Sequence, residues 1–362
     1  MAKQKFNIAE PQKKQAFVKN KKTVLIFILL GAGLLAAACL AVMTGPMVIK
    51  PLLVIKIWVH QLGFGLIDKD WTRIPEVIVL DVRTPRVVLA ILVGMGLAVA
   101  GAAMQGLFRN PMAEPYVLGM SSGAAVGACL AIVLGTGKIF GPFAIPVLAF
   151  TGATATIFVV YNIARTGNRV PTETLLLAGI AVGLFLYAVV SFLKITASME
   201  NLQNVVLWLM GSFALATWMD VKIIILPMLA GISMLCLLAR ELDIFQFGEE
   251  TAVHLGMNVE TVKRVLLISC ALVTGAAVAV SGIIGFAGLI VPHMVRMVIG
   301  SRHRILLPAS ALCGAIFLVC CDTLSRIIAQ PSEVPIGIIT AAIGAPYFVY
   351  LLKRRKKAVN WW

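Results

Sequence analysis

The chain has 362 residues, 60% of them hydrophobic and 13% charged, with a mean hydropathy of +0.96. This excludes an ordinary soluble domain, and runs of about 20 apolar residues recur, each long enough for a ~30 Å hydrocarbon core. The net charge of +15 reports membrane topology rather than nucleic-acid binding.

The apolar runs do not alternate with polar residues, which excludes a transmembrane barrel. The fold class is therefore all-α integral membrane protein, with about ten transmembrane helices. Residues 1–22 carry seven lysines and form a basic tail before the first span, 23–45. That run exceeds a signal-peptide core and no clear cleavage site follows, so it reads as an uncleaved span. Between 46 and 85 lie Trp58, Trp71, Asp68, Asp70, Glu76 and Asp81. Within it, 48–66 reads as a partly amphipathic surface helix.

The second span, 86–107, runs into a charged, twice-proline break holding Arg109, Asn110, Pro111, Met112, Glu114 and Pro115. Lipid cannot solvate open backbone or a carboxylate, so this break faces protein, a water-filled path or the membrane surface. Such discontinuities mark transport routes in many carriers. Glu114 also stands where a carboxylate can cap the next helix, and gate and cap are compatible. Glu173, two residues after Pro171, has a similar cap-like position at the start of the fifth span.

Further spans follow at about 115–135, 142–164, 172–194, 219–239, 263–283, 286–300, 305–327 and 335–352, the eighth being short. The transmembrane unit is thus 23–352, and 353–362 form a second basic tail. With the N-terminus in the cytoplasm, 20 of the 31 Lys and Arg fall on inner segments, which puts both termini inside. At an offset of 181 residues, nine identities occur across 37 positions, among them Arg83 with Arg264, Gly94 with Gly275 and Gly101 with Gly282. Five spans separate these copies, so the weak internal repeat is inverted, as in many transporters.

No catalytic grouping is present. The seven Cys lie in apolar runs without a C-x-x-C pair, and the four His are scattered, so no metal site is expected. Without a Walker A loop, the chain itself binds no nucleotide, and any ATP and Mg belong to a partner ATPase. Asp322 sits in the apolar ninth span with Arg326 four residues on, which suggests a local ion pair. A proton relay of the kind used by ion-gradient-driven secondary transporters is the rival reading.

The polar stretch 241–262 lies between the sixth and seventh spans. In it Gly248 and Gly256 bracket a short helix expected to present Ala252 and Leu255, a form suited to docking in a partner's groove. Together, 105–124, Arg83-Thr-Pro-Arg86, Gly248-x-x-x-Ala252-x-x-Leu255-Gly256, 281–293 and 335–348 resemble, in order, the permease subunits of iron-chelate, haem and vitamin B12 ABC importers. The resemblance covers residues 83 to 352.

The resemblance implies a homodimer, a second copy of the chain flanking the pathway, with two ATPase subunits below and an extracytoplasmic substrate-binding protein above. It implies that Gly248, Glu249, Ala252, Leu255 and Gly256 couple to the ATPase. It further implies that Arg83, Arg86 and Arg326 dock the binding protein, and that 110–115 help close the inner gate. The fifth span, from Leu175 to Ser191, and the segment from Val205 to Phe213 would line a mostly apolar route. The implied cargo is an iron-siderophore or related chelate, with haem, cobalamin and oxyanions also open.

Overall fold

The computed structural model describes residues 9–61, 63, 69–167 and 169–359. The outermost parts of both basic tails, and residues 62 and 64–66 of the expected surface helix, lie outside them. In chain order the helices are α1 (Ala9–Met43), α2 (Pro51–Gln61), α3 (Thr84–Leu107), α4 (Met120–Val133), α5 (Ala144–Ala164), α6 (Thr172–Thr196) and α7 (Met199–Leu209). They continue with α8 (Trp218–Leu237), α9 (Ala239–Phe245), α10 (Glu249–His254), α11 (Val259–Ser281), α12 (Ala287–Ile299), α13 (His303–Ile327) and α14 (Ile336–Val359). Among the described residues there is no strand, only an isolated bridge between Thr166 and Arg169.

Every expected span is helical, and α2 falls within the expected surface helix. Among the described residues, seven helices are long and apolar enough to cross a membrane, while α4, α12 and the apolar part of α14 are shorter. At 1.5 Å per residue, α4 and α12 reach only about 20 Å. The third span therefore begins later than 115. Pro115 opens a short 3-10 turn, and Gly119, at φ +76°, turns the chain before α4 starts. Polar caps set other starts: Asn258 Oδ1 accepts from Thr261 N at 3.1 Å to begin α11, and Thr217 with Asp220 forms a capping box at α8.

The buried centre is α3. It is an Ala/Gly-rich helix, and small residues let neighbouring backbones approach closely. A Cβ on Gly94 would collide with the Gly314 carbonyl of α13, and one on Gly101 with that of Gly288 in α12. Along α3 and α13, Arg86 meets Asp322, Gly94 meets Gly314 and Gly106 meets His303, so the two helices are antiparallel over their full length. The repeat mates α3 and α11 also touch. Gly96 faces Val273, and the Cys270 thiol lies 3.8 Å from the Ala100 carbonyl oxygen. This ordering makes them antiparallel, as an inverted repeat requires. By contrast, α1 and α6 stand at the periphery with large apolar side chains exposed, including Ile28, Leu35, Leu184 and Phe185.

Candidate functional site

The bundle has two loop-bearing ends. At one, Arg109 approaches Gly248, and Asp243 Oδ1 accepts from His303 N at 2.8 Å. We call this the α10 face. At the other, Arg83 reaches the end of α1, and Ile336 N at the start of α14 donates to Gly211 O at 3.0 Å. The far ends of α1 and α14 therefore lie on the α10 face.

On that face, α10 is isolated by Gly248 at φ +103° and Gly256 at φ +81°, backbone that L side chains rarely adopt. The orientation of the short helix differs from the sequence expectation. Ala252 is fully buried, because its face packs onto the bundle, whereas Phe247, Val253 and Leu255 are exposed. Beside it lies a groove of about 860 Å³ lined in part by Arg109, Arg169, Phe247, Glu250 and His254. Glu249 also lines this groove, part-exposed, but its carboxylate is engaged by the bundle. Its carboxylate accepts from Lys263 Nζ at 2.7 Å and from the Thr172 hydroxyl.

The break at 108–119 packs against protein. Asn110 Oδ1 accepts from Met112 N at 2.9 Å, and Ala113 and Pro115 are buried. Glu114 occupies the cap position, but its side chain makes no capping hydrogen bond. Burial pushes its carboxyl up to about 7. The Tyr116 hydroxyl donates to Ile284 O at 3.1 Å, so this break touches a second irregular stretch between α11 and α12. In that stretch Phe286 sits at φ +67°, its ring against Gly344 of α14. The sequence reading missed this meeting of two breaks, although the glycines at 282 and 285 signalled the second one.

At the opposite end the three arginines expected to dock a partner are folded inward, each at most 5% exposed. Arg83 donates to the carbonyls of Val42 at 2.8 Å and Met43 at 3.1 Å, and also to that of Met47, satisfying the open end of α1. Arg86 grips Asp322 at 2.9 Å and Glu333 at 2.9 Å. Arg326 lies 3.4 Å from Asp322 and donates to Thr44 O at 3.0 Å. The expected i, i+4 pair thus exists but is secondary, since the stronger partner of Asp322 comes from α3. Of the expected route-lining residues, Val205 and Phe213 are buried within the chain, whereas Ile180, Leu184 and Tyr187 of α6 are exposed.

The FecCD transport family model matches residues 26–354. The chain belongs to the FecCD transport family. Similar proteins include the cobalamin import system permease BtuC of Halobacterium salinarum, 48% identical over 78% of this chain and 74% of the relative. The hemin transport system permease HmuU of Yersinia pestis is 43% identical over 77% of this chain and 84% of its own. The Fe(3+)-citrate import permease YfmE of Bacillus subtilis is 37% identical over 92% and 96%. A solved inward-facing, metal-chelate type ABC transporter covers 91% of this chain and 99% of its own at TM-score 0.79 and 30% identity. As a FecCD protein the chain is a multi-pass membrane permease subunit of the ABC importer class, and not an enzyme.

Proposed function

We propose that the chain forms the translocation pathway of an ATP-driven importer for a metal chelate, with an iron-siderophore as the leading cargo class. Haem, cobalamin and ferric citrate are carried in the names of its relatives and stay within the same class. In this reading the α10 face is cytoplasmic, as are both termini. Two ATPase subunits engage it, and α6 of two copies flanks the route on a two-fold axis.

The observation that carries the reading is α10 itself. It is a six-residue helix set off by two positive-φ glycines; Val253 on it, Leu255 at its C-terminal cap and Phe247 just before Gly248 are exposed beside a groove. Exposed apolar side chains on a short polar-flanked helix suit burial in a partner. A binding protein docks on the opposite face. There Arg86 would exchange Glu333, whose side chain is 33% exposed, for an incoming carboxylate.

The test is uptake of a ferric hydroxamate siderophore, ferric citrate, haemin and cobalamin into proteoliposomes holding the chain with its ATPase and binding protein. The reading expects accumulation of one cargo that needs ATP and survives collapse of ion gradients. Uptake by the chain alone, driven by a proton gradient, would contradict it.

A further inference from the structure

Lys263 is 2% exposed, yet it is charged and sits at the start of a membrane helix. All three of its ammonium protons have acceptors: Glu249 at 2.7 Å, the Val170 carbonyl at 2.8 Å and Glu260 at 3.4 Å. The partners close on one another. Glu260 accepts from Val170 N at 3.1 Å, and Glu249 accepts from the Thr172 hydroxyl. One cluster thus joins three elements: α10 through Glu249, the neighbouring α11 through Lys263 and Glu260, and, 77 to 93 residues earlier in the chain, the start of α6 through Val170 and Thr172.

The glycines at 248 and 256 interrupt helical continuity on either side of α10. A push on α10 therefore cannot pass along an unbroken helix. It can pass through Glu249, whose carboxylate, 33% exposed at the groove, accepts a charge-assisted hydrogen bond from the buried Lys263 and a further one from Thr172. Pulling Glu249 away would leave the buried Lys263 ammonium with only the longer 3.4 Å contact to Glu260 as a carboxylate partner, so the cluster resists opening.

We infer that Lys263 and Glu249 are a positioning pair that carries displacement of α10 directly to α6, the peripheral helix assigned to the transport route. The inference rests on the importer reading and names the residues through which that reading works. Neither residue touches cargo or nucleotide. Their role is to make α6 follow α10.

The experiment compares the full complex in proteoliposomes for wild type, Lys263→Met and Lys263→Arg. ATPase retention, ATP turnover and cargo molecules moved per ATP are measured, with a ferric hydroxamate siderophore, ferric citrate, haemin or cobalamin as the probe, whichever the wild type accumulates. The Met variant is expected to retain the ATPase and hydrolyse ATP within about twofold of wild type, while cargo moved per ATP falls about tenfold. Lys263→Arg, which keeps the charge, restores most of the ratio. If the Met variant does not assemble, Glu249→Gln gives the same comparison, since it keeps the side-chain volume and removes the charge. An unchanged ratio, or transport and hydrolysis falling together, overturns the inference. A wild-type chain that retains no ATPase or moves no cargo instead fails the importer reading, and the inference falls with it.

Discussion

Arg86 and Asp322, 236 residues apart in sequence, meet at 2.9 Å and fasten α3 to α13 at the end opposite α10. Both side chains are almost fully buried, at 6% and 1% exposed. Replacing Asp322 with Asn leaves Arg86 and Arg326 without their shared counter-charge and is expected to cost about 3 kcal/mol. An Arg86→Met/Asp322→Leu double variant should recover part of that loss, because it removes one of the two stranded guanidiniums while Arg326 still lacks its carboxylate. Thermal unfolding in detergent distinguishes these outcomes. If Asp322 were instead a proton relay, Asp322→Asn would abolish transport while leaving stability unchanged.

The close approach of α3 and α13 makes the consequence of an added methyl depend on location. Gly94→Ala drives a Cβ into the Gly314 carbonyl and is expected to destabilise by about 1–3 kcal/mol. Gly31→Ala, on α1, meets nothing within 4 Å. It should be neutral or stabilising by up to about 1 kcal/mol, since Ala favours helix over Gly. Melting temperatures of the two variants test the contrast.

Glu114 provides a pH dependence with a defined sign. Burial raises its carboxyl from 4.5 to about 7, so the folded chain holds the proton more tightly than the unfolded chain. The stabilisation is complete below about 4.5 and is lost as pH rises through about 7, a change of up to about 3 kcal/mol. Glu114→Gln should flatten the stability profile over that window and make the protein more stable than wild type at alkaline pH. A profile unaltered by the substitution would contradict the assignment.

The exposed stripe on α6 makes the proposed homodimer testable. Ile180, Leu184 and Tyr187 lie three or four residues apart and leave their own bundle uncovered. Tyr187→Cys is expected to cross-link to its counterpart in a second copy within membranes. Leu35→Cys on the equally exposed α1 should not. Gel mobility under oxidising conditions reads the result.

Much of the fold was legible because a bilayer tolerates few backbone solutions. Apolar runs near 20 residues must be helical, and all ten expected spans are. The repeat was readable from Gly94, Gly101 and their mates, and its inversion follows from the antiparallel contact of α3 with α11. What escaped was orientation within short elements and pairing between distant ones. Ala252 and Leu255 lie three residues apart, on α10 and at its C-terminal cap, but only the packed bundle decides which of them is buried. Lys263 reads as one of several positive charges near a span end, and Glu249 as one more loop carboxylate. Nothing local in the chain brings either to Val170 or Thr172. The same holds for Arg83, whose carbonyl partners at the end of α1 are about 40 residues away.

The most direct measurement is ATPase co-purification and turnover for the wild-type chain and a Leu255→Asp variant, with and without the binding protein. Leu255 is 65% exposed beside the groove, so the change should leave the fold intact while placing a charge in the buried contact. The account expects a stable wild-type complex whose turnover the binding protein stimulates. For the variant it expects a weakening of about 2 kcal/mol or more, enough to lose the ATPase on purification. A variant that retains the ATPase and its stimulation at wild-type levels would contradict the role assigned to α10.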